Sequence, residues 1–589
     1  MASTVAQAPV AQDSNHRQGR GKDLFAHLDE HSRAFGIGAL VLMMAFAVVL
    51  LIWTLRGTVF SSDEWALMFN AQSGSAIDAI DPWNGHLLAV GRLIARASLS
   101  LAGSDYWFLI TLNIAGIIAC SGLVYIYARR RIGPILALAP AMVPLFFSGA
   151  STFYGAGIQF TPLMGINAIY PLVFGIGALL LLERKDRRGD IGACILLCLS
   201  LATFSYGIAF LAGAAVAIFL SPSRLRRAFV VAIPFLLYGA WWMWASRQGS
   251  AASSGASPEN ALLVPLYISD SLAAVGAGFF GLSLMVGKGP AVSFALQDHS
   301  LSSLSLPLFL ATVEVVIILL IIRGLARSGR PWRASLWPPL TTLIVLWTLQ
   351  GLVVDIVTRM PGDPRYLFAG AVLVALVLSE VARNVKFSRF VIALVLSMGL
   401  IGIVANLPRF REGKDLVTLD ADVTRAAGTM FGLAGKHGDP TLTLAHELPA
   451  ISKGMWIQAS DYRQFTDRYG SLDMPLAELR SSAPRIRTAA DRILLRSLRL
   501  GLAPITARVP GRCIHVSPGH ALSLSSGARN IQSQSGAQLN IHRFGDAPIP
   551  FGEIPPDGGG QLSIPSDKVI TQIPWTLSSS TGSFEACPT

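Results

Sequence analysis

The stretch SSDEWALMFN, residues 61–70, places two carboxylates side by side, Asp63 and Glu64, a few residues beyond a long apolar run. A carboxylate at a water-facing edge can take the proton of a reacting hydroxyl at neutral pH, or lend oxygens to a divalent cation. The plainer alternative is that Asp63 only caps a helix beginning at Trp65, since Asp is a good N-cap. Downstream, DPWNGHLLAVGRLIARASLSLAG contributes His86, Arg92 and Arg96, and DIVTRMPGDPRYLF contributes Arg359, Arg365 and Tyr366. SGASTFYGAGIQFTP adds Tyr154 and Gln159, whose polar tips can hydrogen-bond a ligand, although that stretch also reads as a plain connector. His86 after Asn-Gly can simply orient a following helix, and Arg365 can simply pair with Asp363 in a turn.

These residues depend on elements that composition identifies. The chain has 589 residues, 52% hydrophobic and only 14% charged, with mean hydropathy +0.52. A soluble protein carries about a quarter charged residues. The deficit lies in apolar runs long enough to cross a bilayer, about 20 residues each. Spans are expected near 36–55, 106–128, 133–148, 163–182, 190–204, 206–220, 228–245, 304–323, 336–356, 366–382 and 388–405. The fold class is therefore all-α and polytopic, with about 11 transmembrane helices. The net charge of +12 does not point to nucleic acid, because the basic residues sit in short groups between apolar runs.

Those groups include Arg129 to Arg131, Arg184 to Arg188, Arg224 to Arg227, the stretch from Arg323, and that from Arg383. They mark the cytoplasmic side, together with the polar N-terminal tail, residues 1–35, read as disordered. Residues 263–287 are apolar enough for a further span, but crossing would put the basic stretch after Arg323 outside. Parity places them in the interface or as a re-entrant segment. The outward loop 57–105 then carries Asp63 and Glu64, and the C-terminus is extracytoplasmic. A helix from His86 would put Leu87, Val90, Ile94, Ala97 and Leu101 on one face and His86, Arg92, Arg96 and Ser100 on another. Such a helix suits the membrane interface, with arginines either snorkelling or presented to a ligand.

After the membrane part, 36–405, composition turns to that of a water-soluble domain, 406–589. Residues 406–505 show helical spacing; 506–589 alternate in short runs such as HALSLSS and AQLNIHRF, the pattern of a β-sandwich-like module. Cys513 and Cys587 bracket that module, and a disulfide between them is expected in an oxidising compartment.

An acidic pair in the first outward loop, DEW, followed by WNGHLL and an interfacial helix, resembles the GT-C superfamily of integral membrane glycosyltransferases. The resemblance covers roughly residues 30–405. It implies a polyprenyl-phosphate sugar donor, a glycan, lipid or protein acceptor in the cell envelope, and a multi-pass protein of a bacterial cell membrane. It also implies Asp63 as general base, with Glu64 positioning substrate or helping to hold a divalent cation such as Mg or Mn. The anionic leaving group needs positive charge at the same depth. Arg359 and Arg365 fit that need, with Arg92 and Arg96 as alternatives and Tyr366 lining the path. Many members carry two aspartates where this chain has Asp63 and Glu64. Two other readings stand beside this one: a transporter or flippase of lipid-linked sugars using mid-span Glu314, and a non-catalytic envelope protein whose C-terminal module binds glycan.

Overall fold

The structure, a computed structural model, describes residues 16–60, 63–73, 75–148, 160–248, 258–282, 334–354, 359–443, 458–505 and 512–589. Helix α1, His16–Leu55, enters the bundle; α2, Asp63–Ser73, and α3, Ala89–Ala102, belong to the connection that follows. Then come α4, Trp107–Ile132; α5, Leu138–Phe146; α6, Pro162–Leu182; α7, Arg187–Thr203; and α8, Tyr206–Phe219. The short α9, Arg224–Arg227, precedes α10, Phe229–Arg247, and α11, Val264–Phe279. Helices α12, Trp337–Leu352; α13, Pro364–Val381; and α14, Arg389–Ala434, complete the bundle. Seven of the described helices are long and apolar enough to cross a membrane. Their interior contacts use small residues: a Cβ on Gly116 would meet the Tyr170 ring at 2.6 Å, and one on Gly175 the Phe210 ring at 2.2 Å. Close backbone approach of this kind is how helices associate where lipid removes the hydrophobic drive.

The bundle has two chemically distinct ends. At one, the last turn of α4 carries Arg129, Arg130 and Arg131. There the buried Arg131 pairs with Glu380 and Glu183, and Arg227 bonds Asp190 through two nitrogens. At the other, Leu163 N meets Glu64, Tyr206 Oη meets Arg365 O, and Trp241 Nε1 meets Ile80 O. The expected span 304–323, with Glu314, lies outside the described residues.

Helix α11 does not run between the ends. Asn260, just before it, donates from Nδ2 to Leu352 O at 3.1 Å, at the close of α12. Gly278, near its finish, packs on Phe147 and Leu367 and accepts from Asn406 Nδ2 at 3.1 Å. All of these partners belong to the end that holds Glu64. Residues 264–279 therefore lie across that end, although Asn260–Phe279 is long and apolar enough to span a bilayer.

Two boundaries differ from expectation. The tail read as disordered to residue 35 is helical from His16, because extending an existing helix is far easier than nucleating one. The change of composition near residue 406 is not a chain break: α14 continues unbroken for 46 residues. Asn406 marks the passage, bonding Gly278, Phe279 and Gly402 carbonyls with its amide nitrogen and Ser148 N with its oxygen.

Beyond α14, helices α15, Ala459–Tyr469; α16, Leu476–Ser481; and α17, Pro484–Ser497, lead into a two-sheet sandwich. Its four-stranded sheet has Ala521–Leu524, Trp575–Thr581, Ala537–His542 and Ile549–Ile554 in order. Its five-stranded sheet has Leu502–Ile505, Gly559–Ile564, Gly527–Gln532, Phe584–Pro588 and Ile514–Val516. All pairings are antiparallel. Cys513 and Cys587 are bonded, closing a separation of 74 residues. The buried Asp491 of α17 accepts from the amides of Arg543, Phe544 and Gly545 at 2.8–2.9 Å, which fixes the sandwich to the helices.

Candidate functional site

Helix α2 begins at Asp63, so both acids sit in its first turn, where the helix dipole favours negative charge. Consecutive helical residues point in directions about 100° apart, and the two carboxylates part company accordingly. Glu64 is fully buried. Its Oε1 accepts from Leu163 N at 2.7 Å, opening α6, and its Oε2 accepts the phenol of Tyr106 at 2.5 Å. Glu64 thus satisfies a helix N-terminus from a distance and ties α2 to α6. Both of its oxygens accept hydrogen bonds from the protein itself.

Asp63 is only partly buried, and no hydrogen bond reaches its carboxylate among the described residues. Burial raises its pKa above the ordinary aspartate range, and the nearby Arg365 charge offsets part of that rise. Arg365 opens α13, where it bonds Asp363 through Nε and Nη2 at 3.0 and 2.9 Å and lies 5.2 Å from the Tyr366 ring centroid. Half of its side-chain surface stays accessible. The turn pairing with Asp363 is therefore real, and it holds the guanidinium without covering it. Arg359 donates to Val353 O at 3.4 Å.

His86 joins the same group. The two-residue strands β1, Pro82–Trp83, and β2, His86–Leu87, form a hairpin with Trp83 opposite His86. Asn84 and Gly85, with φ of 46° and 78°, make the tight turn, a conformation that Asn-Gly adopts readily. His86 Nδ1 lies 2.7 Å from Ser205 Oγ, and its ring is 4.5 Å from that of Phe204. Burial, with the charges of Arg359 and then Arg365, pushes its pKa down to about 4, so it is neutral at neutral pH. Asp63, His86, Arg359 and Arg365 thus share one electrostatic neighbourhood, although they are far apart in the chain.

Helix α3 starts at Ala89, not at His86, because the Asn-Gly turn claims the preceding residues. Its buried positions are Gly91, Ala95, Ser98 and Leu99, whereas Leu93 and Leu101 stay exposed. Small residues face the neighbouring helices, as Gly91 does against Asn167, with Leu99 beside them, while Leu101 of the expected apolar face is exposed. Arg92 donates to Asp78 O and stands 6.0 Å from the Trp83 centroid. Arg92 and Arg96 line a separate cleft with Asp78 and Asp81. Tyr154 and Gln159 lie outside the described residues.

An aromatic cluster locks the outward connection to the C-terminal domain. Trp65 packs on Phe60, Phe69, Tyr462 and Phe465 with ring centroids 5.2–5.6 Å apart. Residues 462 and 465 belong to α15, so the soluble domain braces the helix that carries Asp63. Sequence inspection missed this brace, and it missed Ser205, Asp78, Asp81 and Trp83. The WNG tripeptide was the available signal for the hairpin.

No protein-family model matches the chain, and no curated protein matches it significantly. Among solved structures, it is similar to ArnT from Cupriavidus metallidurans bound to undecaprenyl phosphate, with TM-score 0.42, 13% identity, and coverage of 74% of this chain and 89% of that one. The apo form of the same protein gives TM-score 0.41, 13% identity and the same coverage.

Proposed function

We propose that this chain is a membrane glycosyltransferase that moves a sugar from a polyprenyl-phosphate carrier to an envelope glycan, lipid or protein on the extracytoplasmic face. The observation that carries the reading is the uncommitted Asp63 carboxylate near Arg365, with Arg359 and Arg365 both near His86, at one end of an apolar bundle. The arginine-rich opposite end supports a cytoplasmic assignment for that end, and so an outward one for the site. Asp63, with its raised pKa, is a stronger base than an ordinary aspartate. It takes the acceptor hydroxyl proton as that oxygen bonds the anomeric carbon. The bond from that carbon to the carrier phosphate breaks, and the electron pair leaves on phosphate oxygen facing Arg365 and Arg359. Neutral His86 keeps the donor region free of a further cation and serves as a hydrogen-bonding wall.

The test is transfer from a polyprenyl-phosphate sugar panel by the purified protein. Asp63→Asn is expected to lose transfer by about a hundredfold or more, in the range of general-base losses. Transfer at the parent rate by that variant overturns the reading.

A further inference from the structure

The outward connection holds a cleft of about 560 Å³, within the range of small-ligand sites, roughly 300–1,000 Å³. It is lined by α2, the short turn Ala76–Ile80, the β1 strand, α3 and the end of α10. Its chemistry is unlike that beside Asp63. Asp78 and Asp81 face Arg92 and Arg96, so the formal charges cancel and an anion gains little. Asp78 is engaged, accepting from Ser75 Oγ at 2.9 Å, but the side chains of Asn70, Asp81, Arg96 and Gln248 make no hydrogen bond among the described residues. The Nε of Arg92 is buried with no partner. The half-buried Trp83 ring completes the wall.

Planar amide, carboxylate and guanidinium groups each span two neighbouring hydroxyls, and an indole face accepts the apolar C–H side of a sugar ring. We infer that this cleft is a binding subsite for a neutral oligosaccharide, the segment of the acceptor behind its reacting hydroxyl. That role as acceptor site rests on the transferase reading given above; the binding itself does not. The placement suits it: α2 runs from Asp63 to Asn70 in about 10 Å at 1.5 Å per residue. The hairpin likewise puts Trp83, in the cleft, opposite His86, beside the arginines.

The experiment measures binding of neutral trisaccharides of glucose, mannose, galactose and arabinose, and of inorganic phosphate, to the full chain in nanodiscs by titration calorimetry. At least one trisaccharide is expected to bind, and phosphate to leave its affinity unchanged. Trp83→Ala, Asp81→Asn and Arg96→Gln are each expected to weaken it by about tenfold, the loss of one good contact. Asp63→Asn is expected to leave it within about twofold. Because Trp83→Ala risks the hairpin, the two surface variants decide. Binding unchanged in both, competition by phosphate, or binding by no trisaccharide overturns the inference. Cleft-dependent binding in a protein that transfers no sugar from any polyprenyl-phosphate donor sinks the transferase reading and leaves the subsite standing.

Discussion

The amide of Leu163 donates to Glu64 Oε1 at 2.7 Å, so the acid next to the candidate base holds the first turn of α6. Two neighbouring carboxylates therefore answer to different assays. Glu64→Ala strands the buried Tyr106 hydroxyl and the Leu163 amide, and is expected to cost about 2–6 kcal/mol, since each unsatisfied buried group costs about 1–3 kcal/mol. Thermal unfolding in detergent should show that loss, while Asp63→Asn unfolds with the parent and fails only in transfer.

Arg365 lowers the pKa of Asp63 against the rise caused by burial. The base works ionised, so the rate is expected to climb with pH through a value above the ordinary aspartate range and then level off. Removing the positive charge in Arg365→Gln should move that acid limb to higher pH. The pH profile of kcat/KM under limiting donor checks it; an unmoved limb separates the two residues.

His86 titrates near 4 in the folded protein, against 6.5 for the free side chain. The unfolded chain then binds a proton that the folded one refuses as pH falls from 6.5 to 4, so stability drops across that window and is level above it. The slope is at most about 1.4 kcal/mol per pH unit. Melting temperatures over pH 4–7 should fall less steeply in His86→Gln.

Asp491 receives three backbone amides at the joint between α17 and the sandwich. Asp491→Ala leaves those donors buried and is expected to cost on the order of 3 kcal/mol or more. Limited proteolysis should then release the module from about residue 500 onward, with the membrane part intact.

The Cys513–Cys587 bond closes a loop of about 75 residues, worth about 4 kcal/mol in the loop-entropy model. Reductant, or Cys513→Ser with Cys587→Ser, should lower the unfolding temperature of the sandwich. Because α15, which braces α2, lies outside that loop, transfer should persist below the new transition.

Much of this was written in local pattern. Apolar run length and grouped arginines are properties of consecutive residues, and so the bundle, its arginine-rich end and the sandwich after residue 506 could be read in order along the chain. Parity likewise argued that residues 263–287 lie in the interface or re-enter, since an extra crossing would have exported a basic stretch. The start of α3 escaped because the Asn84–Gly85 turn pairs His86 with Trp83 in a hairpin, and that pairing is a contact rather than a periodicity.

What only the tertiary structure decided is which polar groups meet. Asp63 and Glu64 are adjacent in sequence and equal in chemistry, yet one is consumed by Tyr106 and Leu163 while the other faces Arg365. That division depends on contacts roughly 40, 100 and 300 residues away in the chain. Hydrogen bonds and charges act over a few ångströms of space, whatever the separation in sequence.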